Sequence, residues 1–323
     1  MFKVPVKRTG IAMLSIWLGV MGSSFSQTAN NGRTAFDFLR ISPITRAVGV
    51  GEAYSALGDD VGSIYYNPAG LASLLTNELN VTYLSLYQGI NYEFVAFGFP
   101  LKPSFNDMEG TIGIAANFLQ PGSMQRTNDF GVTTGTFSSG QSAFTLSYAR
   151  TFSNFVQAGI SVKYLQQTID VIQGSLFDVD AGLVILPPFD GMRVGVTLKD
   201  MGAQASGFNL PFNLNTGISY RRYELFSDQD DGALTAEAVF PLAPIEDKFG
   251  MRAGAEYNFK WVGNRATLRA GYTFLDKDLN GVGLTVGAGY GVDFTGTTLF
   301  LDYAFAPADI FGVTNRLSLT AKF

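Results

Sequence analysis

The chain has 323 residues with no cysteine and no histidine, only 15% charged residues, 37 glycines and 14% aromatic residues. An ordinary globular domain carries about 25% charged residues, so this one has little charge with which to face water. Its formal net charge is −5 and becomes more acidic once Lys3, Lys7 and Arg8 are removed, which excludes nucleic acid as a partner. Without cysteine a disulfide scaffold is excluded, and without histidine so are the usual histidine general-base mechanisms.

The first 26 residues read as a signal peptide. Lys3, Lys7 and Arg8 form a basic start, Ile11–Val20 is apolar, and Ser24-Phe25-Ser26 offers small residues for cleavage before Gln27. The apolar run is shorter than the ~20 residues of a helical span. Residues 27–77 then form a Gly-rich segment that is neither a clean helix nor a clean strand. Arg46, Glu52, Asp59 and Asp60 place charges of both signs in it. It ends in Asn67-Pro68-Ala69-Gly70. Pro68 keeps Asn67 out of the helical region and suits the first position of a turn, which the Asn67 side chain then caps.

From Leu79 to the end, the hydrophobic period is two. Ala266, Leu268, Ala270, Tyr272 and Phe274 alternate with Arg265, Thr267, Arg269, Gly271 and Thr273, and the stretches 192–199, 251–260 and 284–294 do the same. Such alternation marks strands with one apolar and one polar face. About fourteen strands of ~9–12 residues can be counted, long enough to cross a bilayer when tilted. Short turns such as 151–154, 187–191 and 261–264 alternate with longer loops such as 120–140 and 200–211. Residues 88–91 and 222–232 break that alternation of lengths. The expectation is an all-β, transmembrane antiparallel β-barrel over residues 78–323, with residues 27–77 as an N-terminal plug. Its lipid-facing side takes membrane lipid as partner, and the location is the bacterial outer membrane. The last strand alternates Leu317, Leu319, Ala321 and Phe323 with polar residues and stops on Phe323, read as the signal for the outer-membrane assembly machinery.

Lumen-side carboxylates Asp178, Asp180, Glu237, Glu256 and Asp302 face the bases Lys163, Arg193, Arg252, Arg265 and Arg269. Salt bridges holding the plug account for them more simply than catalysis, since no nucleophile and base stand together. The expectation is a non-enzymatic protein without cofactor or metal. Asp276-Lys277-Asp278-Leu279-Asn280-Gly281 matches half of a calcium loop, but the twelfth position is Gly287 where a bidentate Glu belongs, so an Asx-rich turn is the better reading. Phe208, Phe212 and Phe311 lie in or beside the long loops as candidate surface contacts, along with Phe130, Phe137, Leu210 and Ile310. Tyr83, Tyr148, Trp261, Tyr272 and Tyr303 read as interface girdles.

Phe38-Leu39-Arg40-Ile41, Arg46 to Ala53, and Asp59-Asp60 through Asn67-Pro68-Ala69-Gly70-Leu71-Ala72 together resemble the opening of the PorV/PorQ group of outer-membrane proteins, related to the FadL-type transporters. The specific likeness covers roughly residues 34–75; Glu52 departs from the small or apolar residues usual in that run. The resemblance implies a fourteen-stranded barrel with a hatch whose motif falls on Asn67, Pro68, Ala69 and Gly70. Its PorV/PorQ side implies an accessory of type IX secretion, with secretion-system proteins or exported cargo as partners. Its FadL side implies instead a channel that passes an apolar small molecule.

Overall fold

The computed structural model describes residues 34–86, 89–101, 109–205, 208–243, 249–274, 283–307 and 313–323. The signal-peptide stretch, the Asp276–Gly281 loop, Ile310 and Phe311 fall outside them.

Fifteen strands form one antiparallel sheet: β1 (Glu78–Ser85), β2 (Asn91–Leu101), β3 (Gly110–Gln120), β4 (Ser123–Thr127), β5 (Thr133–Ser153), β6 (Val156–Ile169), β7 (Ile172–Ile185), β8 (Met192–Gly202), β9 (Asn213–Tyr223), β10 (Asp230–Pro241), β11 (Gly250–Trp261), β12 (Asn264–Thr273), β13 (Gly283–Phe294), β14 (Thr297–Pro307) and β15 (Val313–Lys322). β1 pairs with β15, with Glu78 opposite Lys322 and Ser85 opposite Asn315, and this seam closes the sheet on itself. β3 pairs directly with β5, while β4 pairs only with the outer third of β5. The ring therefore holds fourteen strands. No described helix is long and apolar enough to cross a membrane.

The pleat sorts side chains as the alternation predicts. Leu268 is 66% exposed on the outside, whereas Thr267 is 4% exposed and faces inward. Leu146, Val162, Leu284, Leu301 and Leu317 are likewise exposed on the outer wall. An apolar exterior over a polar interior is stable only with hydrocarbon outside.

Asn77 and Phe323 exchange backbone hydrogen bonds of 3.0 and 2.9 Å, so the start and end of the ring share one rim. Turns 154–155, 262–263 and 295–296 lie on that rim, which short turns mark as periplasmic. Residues 224–229 join the same rim, and Leu86 and Ile90 lie on the opposite one, so topology alternates even where loop length does not. The stretch 120–140 is not a plain loop. It holds β4 and the start of β5, which with β6 and β7 rise beyond the other strands.

Residues 34–77 form short turns only: 3-10 turns at Asp37–Arg40 and Pro68–Ser73, and helical turns α1 (Thr45–Gly49) and α2 (Ser63–Tyr66). Phe38, Ala47, Val50, Tyr54, Ile64, Tyr66 and Leu71 are almost fully buried there, together with Leu84, Tyr92 and Phe94 of the wall. Too short and too rich in glycine to form a domain alone, the segment gets its order from the strands around it.

Candidate functional site

Close approach between the segment and the wall depends on glycine. Gly51 has φ +67 and lies against the Tyr272 backbone; a Cβ at Gly254 or Gly271 would overlap Val50. These inward glycines, which look like the weak points of their strands, are where another backbone approaches.

Asn67 sits at a junction and is 1% exposed. Its Oδ1 accepts from Ala69 N at 3.1 Å, capping the Pro68–Ser73 turn. Its Nδ2 donates to Ser55 O at 2.8 Å within the segment and to Leu183 O of β7 at 3.0 Å. Glu237 of β10 reaches in to accept from Tyr54 N at 3.1 Å, from Ser55 N at 2.8 Å, and from the Ser55 hydroxyl. Arg252 bridges Glu237 at 3.1 Å and Glu52 at 3.2 Å, so Glu52, the residue that departs from the hatch pattern, is ion-paired.

A larger ion lattice centres on Arg46 of α1. It donates to Asp59 at 2.6 Å, Asp60 at 2.8 Å and Glu256 at 2.8 Å. Glu256 also accepts from Arg221 at 3.2 Å and Arg269 at 2.8 Å, and Arg269 continues to Asp302 at 2.6 Å. Burial alone would raise the Asp59 carboxyl; Arg46, Arg221 and Arg193 outweigh it and hold the group well below the usual carboxylate range. Arg193 donates to Gly58 O and Ser73 Oγ. Two of the predicted lumenal bases behave differently. Arg265 pairs with half-exposed Asp293, and the ion pairs of Lys163 are all within the wall.

That wall cluster comes from a bulge. Val179 faces Met201 and Ala181 faces Leu198, leaving Asp180 opposite both Lys199 and Asp200. Asp200 takes φ +60, and both Lys199 and Asp200 turn inward. Lys163 Nζ then lies 3.0 Å from Asp178, 2.7 Å from Asp180 and 2.6 Å from Asp200. These three carboxylates have the spacing of a metal site, but the ammonium stands at their centre. Lys199 Nζ lies 4.0 Å from the Tyr65 ring centroid, a cation–π contact.

Beside the bulge, a cavity of about 490 Å³ opens toward the outer rim. Phe177 of the lipid face, Met201, Leu210, Phe212 and Leu242 line it, with Asp200 at its inner end. Phe212, expected as a loop-surface residue, is half-buried in this cavity, and Leu210 is buried against the core. Phe208 is 42% exposed and Phe130 90%. The structure thus separates Phe208 from Phe212 in role, and neither is part of the Asn67 junction.

An inward ion lattice, a lipid-facing exterior and a closed fourteen-stranded ring define an outer-membrane β-barrel. No family model matches the chain, and no curated protein does. Solved structures share its fold. The CymD monoaromatic hydrocarbon channel aligns with TM-score 0.57 and 11% identity, over 87% of this chain and 97% of that one. The Ralstonia pickettii toluene transporter TbuX aligns with TM-score 0.59 and 13% identity, over 87% and 96%. The P. putida toluene transporter TodX aligns with TM-score 0.55 and 10% identity, over 81% and 94%. At these identities the likeness is one of fold alone.

Proposed function

We propose that the protein is a non-enzymatic, FadL-like outer-membrane channel for a small hydrophobic compound, with residues 34–77 as its plug. The observation that carries this reading is the cavity at the β7–β8 bulge. Its apolar lining runs from Phe177 on the lipid face to Leu210, which packs into the plug core. An apolar solute at the outer leaflet meets there an apolar surface rather than the charged lumen. That the fold neighbours CymD, TbuX and TodX carry the titles of hydrocarbon channel or toluene transporter supports the same reading. Passage requires the plug to shift, because the ion lattice and packed side chains fill the ring. The test is uptake of a labelled monoaromatic hydrocarbon by cells with and without the gene, with Leu210→Trp filling the cavity. Loss of uptake in the deletion and in the filled variant is the expected result. Unchanged uptake in the deletion strain overturns it.

A second reading, a PorV/PorQ-like accessory to type IX secretion, is favoured by the outer hairpin. β4 and the start of β5 rise above the ring and expose Phe130 and Val132 at 90% and 58%. A protein partner on the cell surface would meet these residues first. On this reading, deleting the gene leaves surface-anchored proteins retained or shed while hydrocarbon uptake stays normal. Replacing Phe130, Val132 and Phe208 with serine then reproduces part of the defect, whereas Phe212, which lines the β7–β8 cavity, belongs to the first reading.

A further inference from the structure

The outward face of β3, β5, β6 and β7 changes character one register row at a time. Ile114, Leu146, Val162 and Val179 lie opposite one another across the four strands. The next row outward is Ala116, Phe144, Tyr164 and Phe177, and the one after it is Phe118, Ser142, Gln166 and Ser175. Hydrocarbon-facing aliphatics thus give way to an aromatic girdle and then to uncharged polar side chains. Rings lock the girdle, with Phe118 edge-on to Phe144 at 5.7 Å and Tyr164 against Phe177 at 5.2 Å.

A groove of about 510 Å³ lies on the polar rows. Ser142 and Gly140 are small and form its hollow; Phe118 and Tyr164 stand at its base, and Gln166 and Ser175 edge it. Gln166 Nε2 reaches the Tyr164 hydroxyl at 3.4 Å. No Lys, Arg, Asp or Glu is among its lining residues. Amides and hydroxyls both donate and accept, as a sugar hydroxyl does, and an aromatic face suits the C–H side of a pyranose ring. A phosphate headgroup would call for Arg or Lys, which the groove lacks.

We propose that this groove binds the sugar headgroup of an outer-leaflet glycolipid. Its position just beyond the girdle puts it in the headgroup layer. The acyl chains then run down the wall over Phe144, Phe177, Leu146 and Val162. The hydrogen-bonding residues of the groove are outside the ring and distinct from the β7–β8 cavity, with Phe177 alone shared between the acyl-chain track and that cavity.

The test uses the whole mature protein in lipid nanodiscs, titrated with rough-type lipopolysaccharide, with phosphatidylglycerol, and with free core oligosaccharide. The expected result is retention of the lipopolysaccharide over phosphatidylglycerol. The Gln166→Ala/Ser175→Ala double variant should weaken that binding about tenfold by removing two hydrogen-bonding groups. Ser142→Trp should abolish it. Both variants point away from the lumen, and heat-dependent gel mobility reports whether the barrel has formed. If Ser142→Trp fails to fold, the double variant decides. Undiminished binding by the double variant overturns the proposal, as does equal binding of phosphatidylglycerol. Free oligosaccharide binding as tightly as the lipid-anchored form also overturns it.

Discussion

Asn67 joins three backbones through one amide: its own turn, Ser55, and β7. Each neutral hydrogen bond is worth about 1 kcal/mol and the cap a similar amount. Asn67→Ala should therefore loosen residues 34–77 by a few kcal/mol at most, leaving the ring intact. Expected are normal insertion, faster proteolysis of residues 34–77 and greater ion leak across planar bilayers. Loss of insertion would show instead that the segment is needed to build the ring. The cap was legible in Asn67-Pro68. The contacts to Ser55 and Leu183 were not, because a partner 116 residues away leaves no local pattern. Asp59 has a pH signature. Its carboxyl is held below the usual range, so its contribution is fully present above the ordinary Asp value of ~3.9 and disappears only as the pH falls through the lowered one. Protease protection of residues 34–77 should hold from pH 7 to pH 4; release near pH 5 would rule out an ionised Asp59 as the group that holds them.

Among elements, β12 gives the sharpest check on register. Leu268→Arg places a charge in hydrocarbon at a cost of ~2–4 kcal/mol, while Thr267→Arg faces the polar interior. Folding yield into vesicles should drop for the first. Thr267 donates to Asn258 Oδ1 at 2.8 Å, so the second loses one hydrogen bond and should still fold. Equal yields would mean the faces are exchanged. Period-two alternation made such strands readable from the sequence. The β7–β8 bulge was hidden, because Lys199-Asp200 at the end of an alternating run looks like a strand leaving the membrane. Only the positive φ of Asp200 turns both side chains inward. β4 was hidden too, since Ser123-Met124-Gln125-Arg126-Thr127 has polar residues on both faces and carries no apolar alternation. The bulge has its own test. Lys163→Met strands three buried carboxylates and should cost ~3–5 kcal/mol in urea unfolding, whereas Lys260→Met removes a half-exposed ammonium from Asp231, which keeps Arg221, and should cost under ~1 kcal/mol.

For the molecule as a whole, the sequence made the barrel class and strand number readable, since both follow from alternation summed over 246 residues. It could not show how the interior is wired, because ion pairs such as Arg46 with Glu256 join positions 210 apart. Phe323 belongs at this scale. Its backbone closes onto Asn77 and its ring stacks on Phe97 at 6.4 Å. Removing Phe323 should lower the amount of inserted protein sharply, while the inserted fraction loses only two backbone hydrogen bonds and one ring contact and stays folded. An unchanged yield would remove its role as the assembly signal.

The seam between β1 and β15 also sets an order of events. Asn80 hydrogen-bonds Thr320 across it, 240 residues away along the chain. Contacts of that sequence separation form slowly, after the hairpins on either side have paired. Residues 34–77 precede β1, yet they end inside the ring with ion pairs to β9 and β11. Once the seam zips, a segment carrying Arg46, Glu52 and Asp59 has no apolar route inward. It is placed while the sheet is still open, and the last strand closes over a segment that is already folded against its neighbours.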